Sequence, residues 1–227
     1  MNLSDSHSDL ASSFTDLMTS LAVIFILLLC YAHNQAQEVG EKSRDSILAE
    51  LQKELKEFLQ KGVKVESDPN DPLALLILVP EGLLEFKIDR AEIPSRGFDF
   101  LKAFIPKLAN IICEKARFRN EISSIVVEGH TDSTGTDQYN WGLSQRRSMS
   151  VVAESIQVLD ERSRITKDGI NVRDFFVKLL SASGRGSAEL IKDKGGLENK
   201  EMSRRVVFKI RVKSLEQRET IVKKLNT

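Results

Sequence analysis

The chain has 227 residues, with 33 basic and 33 acidic side chains, so its formal net charge is zero. A balanced charge argues against a general nucleic-acid binder, which needs a net basic face, and we expect no direct nucleic-acid partner. Apolar residues are concentrated near the N-terminus, whereas the chain after Gly40 has the charged composition of a soluble domain. One membrane anchor followed by one domain of about 150 residues fits this distribution.

The first predicted element is a transmembrane helix over residues 10–33, preceded by an N-terminal tail at residues 1–9. The apolar residues from Leu17 to Ala32 would span roughly 24 Å, less than the hydrocarbon core of a bilayer, so the helix must extend backwards past Asp16. A secretory signal needs a basic segment before its apolar core. Residues 1–16 contain no Lys or Arg, so we expect the helix to be retained.

An acid, Asp16, lies near the start of this apolar segment, and two interpretations are open. Helical spacing places it in a polar stripe formed by Asp5, Asp9, Ser12, Asp16 and Thr19. Such a stripe favours contact with protein rather than with lipid. A carboxylate that faces protein inside the membrane can take up and release protons. Its expected hydroxyl neighbours are Thr15, Thr19 and Ser20. In the alternative interpretation, Asp16 only caps the helix at the membrane surface.

A charged helical linker is predicted over residues 34–62. Its apolar residues Leu48, Leu51, Leu55 and Phe58 are spaced 3, 4 and 3 residues apart. This spacing favours a seam between two copies of the chain, although a helix packed on the following domain has the same pattern. The two cysteines, Cys30 and Cys113, indicate no internal disulfide framework, and a Cys30–Cys30 bridge between copies stays open.

Residues 63–213 are predicted to form an α/β sandwich, in which strands and helices alternate as β-α-β-α-β with one helical layer. The segment "VKVESDPNDPLALLILVPEGLLEFKIDR" indicates a strand, a turn, a second strand, another turn and a short third strand. Further along, "ISSIVVEGH" reads as a buried strand and "SRRVVFKIRV" as a closing strand. The C-terminal tail, residues 214–227, is predicted to be a loose helix.

The most informative segment is "VVEGHTDSTGTDQYNWGLSQRRSMSVV". It predicts a strand, a loop carrying Asp132, and a helix carrying Arg147. Such a unit can bring a carboxylate and a guanidinium to one cleft, which suits a zwitterionic ligand. An internal ion pair between Asp132 and Arg147 is the alternative. No nucleophile–base pairing and no metal-binding spacing is recognisable, so we expect no enzyme, no metal and no cofactor.

This segment resembles the peptidoglycan-binding domain of the OmpA family, which includes Pal and the MotB-type stator subunits. The family pattern is matched by Gly129, His130, Thr131, Asp132, Gly135, Asn140, Leu143, Ser144 and Arg147. The resemblance covers roughly residues 70–213. It implies that Asp132 binds the amino group of a diaminopimelate side chain and that Arg147 binds its carboxylate. It also implies a pocket lined by Thr131, Asn140, Leu143 and Arg205.

The order of tail, Asp-bearing helix, linker and wall-binding domain resembles MotB-type stator subunits, and it is most similar to the ZorB subunits of the Zorya anti-phage system. This resemblance implies two copies inside a ring of a larger multi-span MotA-like or ZorA-like partner, with Asp16 carrying protons. Rival functions are a flagellar stator subunit and a passive peptidoglycan tether.

The resemblance also implies an orientation in the bacterial inner membrane. A wall-binding domain belongs in the periplasm, so the N-terminus should be cytoplasmic. The first basic residues, Lys42 and Arg44, follow the helix. By the positive-inside rule they weakly favour the opposite orientation.

Overall fold

The computed structural model describes residues 3–162, 164–214 and 217, with the side chains of residues 3–12 outside that description. The chain divides into two compact units between Val39 and Gly40. Of the predicted C-terminal tail at residues 214–227, only Ser214 and Gln217 are among the described residues. The side chains of Asp5, Asp9 and Ser12, which belong to the predicted polar stripe, also lie outside the description.

The N-terminal unit consists of a helix, α1, which continues into the second unit and runs from Leu3 to Glu54. Within the described residues, α1 is the one helix that is long and apolar enough to cross a membrane, judged by length and composition. Its side chains at residues 13–35 are exposed. Because the helix begins at Leu3, Asp16 lies several turns inside it and is not its N-cap.

The second unit is built on a five-stranded sheet. Its strands are β1 (Lys64–Ser67), β2 (Ala74–Pro80), β3 (Ile122–His130), β4 (Leu180–Gly184) and β5 (Arg205–Val212). Their order across the sheet is β1-β2-β5-β3-β4. Neighbouring strands are antiparallel, apart from the parallel pair β3 and β4. The parallel pair needs a helical crossover, which the chain between residues 137 and 179 provides.

The helices of this unit differ widely in length. They are α2 (Lys56–Leu59), α3 (Glu81–Leu84), α4 (Ser95–Glu114), α5 (Ala116–Glu121), α6 (Asp137–Glu161), α7 (Val172–Leu179) and α8 (Lys200–Ser203). The expected α/β architecture is therefore confirmed. The short strand predicted within "EFKIDR" is wrong, because Glu85 and Asp89 adopt φ angles of 52° and 58°. Positive φ angles do not fit an extended strand.

One hydrophobic core joins the sheet to its helices. Alternate side chains of each strand face this core, as Ile125 and Val127 of β3 do. The core also includes Ile47 and Leu51 near the end of α1, Leu55 between α1 and α2, and Phe58 of α2. The Phe58 ring meets Phe104 edge-on, with centroids 5.2 Å apart.

These contacts correct two predictions. Leu51, Leu55 and Phe58 are at most 2% exposed, and Leu48 packs against the same core. The predicted seam between copies, formed by Leu48, Leu51, Leu55 and Phe58, is therefore wrong, because these side chains pack within their own domain. The boundary between linker and domain is wrong as well, since the compact unit begins at Gly40 and not at residue 63.

Candidate ligand-binding site

The site is built on the end of β3, the loop that follows it and the first half of α6. Helix α6 passes so close to β3 that a Cβ on Gly129 would lie 2.2 Å from the Ser144 carbonyl oxygen. The loop turns at Gly135, whose φ is +95°, and Thr136 then caps α6 by accepting a hydrogen bond from the Tyr139 N–H. This geometry places the side chains of early α6 beside the loop after β3.

A cavity of about 450 Å³ lies at this junction. It contains five of the predicted ligand residues, namely Thr131, Asp132, Asn140, Leu143 and Arg147. Sequence reasoning missed its other lining residues, which are Glu81, Phe86, Ile88, Asp89, Thr134, Tyr139 and Arg204. Several of these come from the segment after β2, which forms the opposite wall.

Asp132 is held by the loop and by one arginine. Its Oδ1 atom accepts a hydrogen bond from the Thr134 N–H at 2.9 Å, and its Oδ2 atom pairs with Arg204 Nη1 at 2.7 Å. Burial by itself raises the pKa of this carboxyl, but the hydrogen bonds from Arg204 and Thr134 outweigh burial and lower the pKa below its ordinary value. Asp132 is therefore an anion at neutral pH.

Arg147 is fixed by three acceptors and a ring. Its Nη1 atom pairs with Glu81 Oε1 at 2.7 Å. Its Nε atom donates to the Arg90 carbonyl at 3.0 Å, and its Nη2 atom donates to the Lys87 carbonyl at 3.4 Å. The guanidinium also lies 4.8 Å from the centroid of the Phe86 ring. Burial lowers the pKa of Arg147 and Glu81 opposes that shift, so the side chain is a well-oriented cation.

Asp132 and Arg147 share the cavity without pairing to each other. Arg204 bridges Asp132 to Glu81, since its Nε atom contacts Glu81 Oε2 at 2.6 Å. Glu81 in turn contacts Arg147, so the charges alternate along one chain of contacts. The alternative of a direct ion pair between Asp132 and Arg147 does not describe this structure.

Arg205 does not line the cavity, and its prediction as a pocket residue is wrong. Its Nη1 atom donates to the carbonyls of Glu189 and Ser203, each at 3.1 Å. Arg204 immediately precedes β5 with an extended backbone. Successive side chains of an extended segment point to opposite faces, so Arg204 reaches the cavity instead. The inward-facing series Val206, Phe208 and Ile210 was visible in the sequence, and its parity would have selected Arg204.

A polar group in the wall of the cavity has no hydrogen-bond partner among the described residues. Thr131 is 4% exposed, and its hydroxyl makes no hydrogen bond to any described residue. Leaving a buried hydroxyl unpaired is unfavourable. The Thr131 hydroxyl therefore offers a donor or an acceptor to a ligand in the cavity.

The second predicted site, around Asp16, lies on the exposed surface of α1. Asp16 borders a shallow depression together with Ser13, Phe14, Leu17 and Ser20. Of its predicted neighbours, Ser20 shares this depression. The Thr19 hydroxyl donates to the Thr15 carbonyl at 2.7 Å, one turn back along the helix.

The described residues contain no group of three or more His, Cys, Asp or Glu side chains that could hold a metal ion. The two cysteines are unpaired, with Cys30 exposed and Cys113 buried. Burial raises the pKa of Cys113 to about 12, so that thiol is a core residue and not a nucleophile.

Comparison with known proteins gives concordant matches. Residues 98–204 match the OmpA family. The chain is 26% identical over 215 residues to the Zorya protein ZorB of Escherichia coli strain Crooks, a match that covers 87% of this chain and 86% of ZorB. In fold it is similar to a MotB-like protein from Desulfovibrio vulgaris, with a TM-score of 0.53 and 19% identity over 78% of this chain and 96% of the other. The periplasmic domain of Helicobacter pylori MotB matches with a TM-score of 0.48 and 21% identity, over 71% of this chain and 90% of that domain. The chain thus carries an OmpA-like domain with the fold of a MotB-like protein, and along most of its length it resembles ZorB.

Proposed function

We propose that this protein is a stator subunit that anchors a proton-driven membrane motor to the cell wall and that acts in anti-phage defence. The observation that carries the proposal is the cavity that contains both Asp132 and Arg147. The same chain carries an apolar helix with an acid inside it. The likeness to ZorB over most of the chain supports the combination of these two parts.

The ligand of the cavity is the diaminopimelate side chain of peptidoglycan. Its ammonium binds Asp132, which is an anion, and its carboxylate binds Arg147, whose guanidinium is oriented by backbone carbonyls. Leu143 and Asn140 supply an apolar and a polar wall around the carbon chain. The Thr131 hydroxyl gains the hydrogen-bond partner that it lacks in the described structure.

In the membrane, α1 crosses once, with the N-terminus in the cytoplasm and the domain in the periplasm. Asp16 carries the translocated proton. A larger multi-span MotA-like or ZorA-like ring and a second copy of this chain surround the exposed side chains of α1 at residues 13–35. Wall binding holds this subunit still while the ring turns around it.

A passive tether is the competing function, because it uses the same wall-binding cavity. A tether needs no acid inside its membrane anchor, where a carboxylate is costly. The position of Asp16 several turns inside α1 therefore favours a motor. The match to ZorB favours defence over a flagellar role.

The wall-binding half is tested with isolated peptidoglycan sacculi and the full chain in detergent. We expect Asp132→Asn to lose co-sedimentation with sacculi, while Asp137→Asn retains it. Both variants remove one carboxylate from the same segment, but Asp137 is exposed and does not line the cavity. Unchanged sedimentation of a folded Asp132→Asn variant would refute wall binding through this cavity.

A further inference from the structure

We propose that Glu81 and Arg204 are positioning residues that make the cavity selective for ligands carrying both an ammonium and a carboxylate. The inference rests on the proposed function, because it concerns the same cavity. It gives a role to two residues that the sequence analysis did not place there. Glu81 also lies outside residues 98–204, the segment matched to the OmpA family.

The two residues form the middle of a chain of four alternating charges. Arg204 contacts Asp132 at 2.7 Å and Glu81 at 2.6 Å. The second carboxylate oxygen of Glu81 contacts Arg147 at 2.7 Å. The order of charges is therefore negative, positive, negative, positive, with the expected ligand-binding residues at the two ends.

This arrangement weakens the attraction of the cavity for a single charge. A ligand that brings only an ammonium to Asp132 also approaches the cation of Arg204. A ligand that brings only a carboxylate to Arg147 also approaches the anion of Glu81. Glu81 and Arg147 are largely buried, with side chains 16% and 6% exposed, so water does little to screen the repulsion from Glu81. Arg204 is 37% exposed, so water screens its repulsion more strongly.

A ligand with both charges closes the chain into a ring. Its ammonium lies beside Asp132 and its carboxylate beside Arg147, so each charge in the ring has two neighbours of opposite sign. Asp132 and Arg147 both have hydrogen-bonding positions left for such a ligand. Each Asp132 oxygen has a further lone pair, and Arg147 has about five N–H donors, of which Glu81 and the carbonyls of Lys87 and Arg90 use three.

The geometry also prevents Arg147 from leaving Glu81 to follow a ligand. The carbonyls of Arg90 and Lys87 hold its Nε and Nη2 atoms, and its Cζ atom lies 4.8 Å from the centroid of the Phe86 ring. A carboxylate must therefore approach the remaining N–H groups while Glu81 stays in place. Every ligand that binds Arg147 therefore also interacts electrostatically with the Glu81 carboxylate.

The test uses the full chain in detergent and three synthetic stem peptides that differ only in the third residue. Diaminopimelate carries both charges at its side-chain end, lysine lacks the carboxylate and 2-aminopimelate lacks the ammonium. We expect the unmodified protein to bind the diaminopimelate peptide at least about tenfold more tightly than either of the others, because each of the others loses one of the two charge-assisted contacts.

Two variants should then shift selectivity in opposite directions. Arg204→Gln removes the cation beside Asp132, so the lysine peptide should gain about tenfold relative to the 2-aminopimelate peptide. Glu81→Gln removes the anion beside Arg147, so the 2-aminopimelate peptide should gain relative to the lysine peptide. Arg204→Lys and Glu81→Asp keep the charges and should keep the original order. Arg146→Gln, which changes an exposed arginine next to Arg147 on α6, should leave the affinities for all three peptides unchanged.

The outcomes separate this inference from the proposed function. If both Gln variants weaken all three peptides by one common factor, Glu81 and Arg204 are only structural, and wall binding stands. If the unmodified protein binds no peptide and does not sediment with sacculi, both proposals are wrong. Should a Gln variant fail to fold, equal binding of the lysine and diaminopimelate peptides by the unmodified protein would overturn the inference.

Discussion

Asp132 and Arg147 lie in the same cavity but do not pair with each other, because Asp132 pairs with Arg204 and Arg147 pairs with Glu81. Both charges are thereby neutralised within the protein. A buried charge without a partner is strongly unfavourable. These pairings therefore allow Asp132 and Arg147 to stay ionised and oriented in a stable domain.

Arg147→Ala should damage both stability and binding. The substitution leaves the mostly buried Glu81 carboxylate without Arg147 and removes the donor to two backbone carbonyls. We expect the free energy of unfolding to fall by about 3 kcal/mol, as for other broken buried pairs, and sedimentation with sacculi to be lost. Urea unfolding followed by the fluorescence of the single tryptophan, Trp141, measures the first effect. Arg146→Ala is the control, and an equal loss in that variant would contradict the prediction.

Asp16→Asn should abolish motor function without affecting wall binding. The substitution keeps the size and polarity of the side chain but removes the group that takes up a proton. Phage plating on cells that express the variant should give the same efficiency as on cells without the protein. Asp16→Glu, which keeps the carboxyl group, should retain part of the protection. Full protection by Asp16→Asn would show that Asp16 carries no proton.

The stability of the domain should depend on pH through His130. Burial lowers the pKa of His130 and outweighs the opposing effect of the Glu128 carboxylate, which lies 3.8 Å from its Nε2 atom. The pKa of the imidazole in the unfolded chain is about 6.5. Below that pH the unfolded state therefore binds more protons than the folded state. The free energy of unfolding should therefore fall as the pH is lowered from about 7 to about 5.

His130→Leu should remove this dependence. Three carboxyl groups with lowered pKa values, Asp68, Asp132 and Glu189, stay ionised in the folded state over this range, so they contribute little to its slope. Removing two unpaired buried nitrogens should also leave stability at pH 7 unchanged or higher. Urea midpoints at several pH values measure both effects. The same slope in His130→Leu and in the unmodified protein would show that another group is responsible.

Leu51→Ala should destabilise the domain and not a contact between copies. Leu51 is 0% exposed within its own domain, and truncating a buried leucine costs about 2 to 5 kcal/mol. We expect the unfolding midpoint in urea to fall, with the molar mass of the folded protein in light scattering unchanged. Leu197→Ala removes a leucine that is 73% exposed and should change neither quantity. A change in oligomeric state without a change in stability would restore the predicted seam.

The sequence was sufficient where one local pattern determines one element. The strand–loop–helix unit around Asp132 could be predicted because its strand, turn residues and helix are consecutive in the chain. The wall formed by Glu81 and Phe86 could not be predicted from spacing, since the fold alone brings the segment after β2 next to α6. The segment that carries Leu51 and Leu55 is a similar case, because heptad spacing does not distinguish packing on a partner chain from packing on the domain itself.

Two neighbouring arginines have separate surroundings: Arg204, which immediately precedes β5, lines the cavity, whereas Arg205, the first residue of β5, donates to the carbonyls of Glu189 and Ser203. Mutations at these two positions therefore affect separate sets of contacts. Substitutions at residue 205 change contacts away from the cavity and leave the cavity lining as it is. Under the proposed function, a design for another cell-wall chemistry should therefore change residues 81 and 204 and keep residue 205.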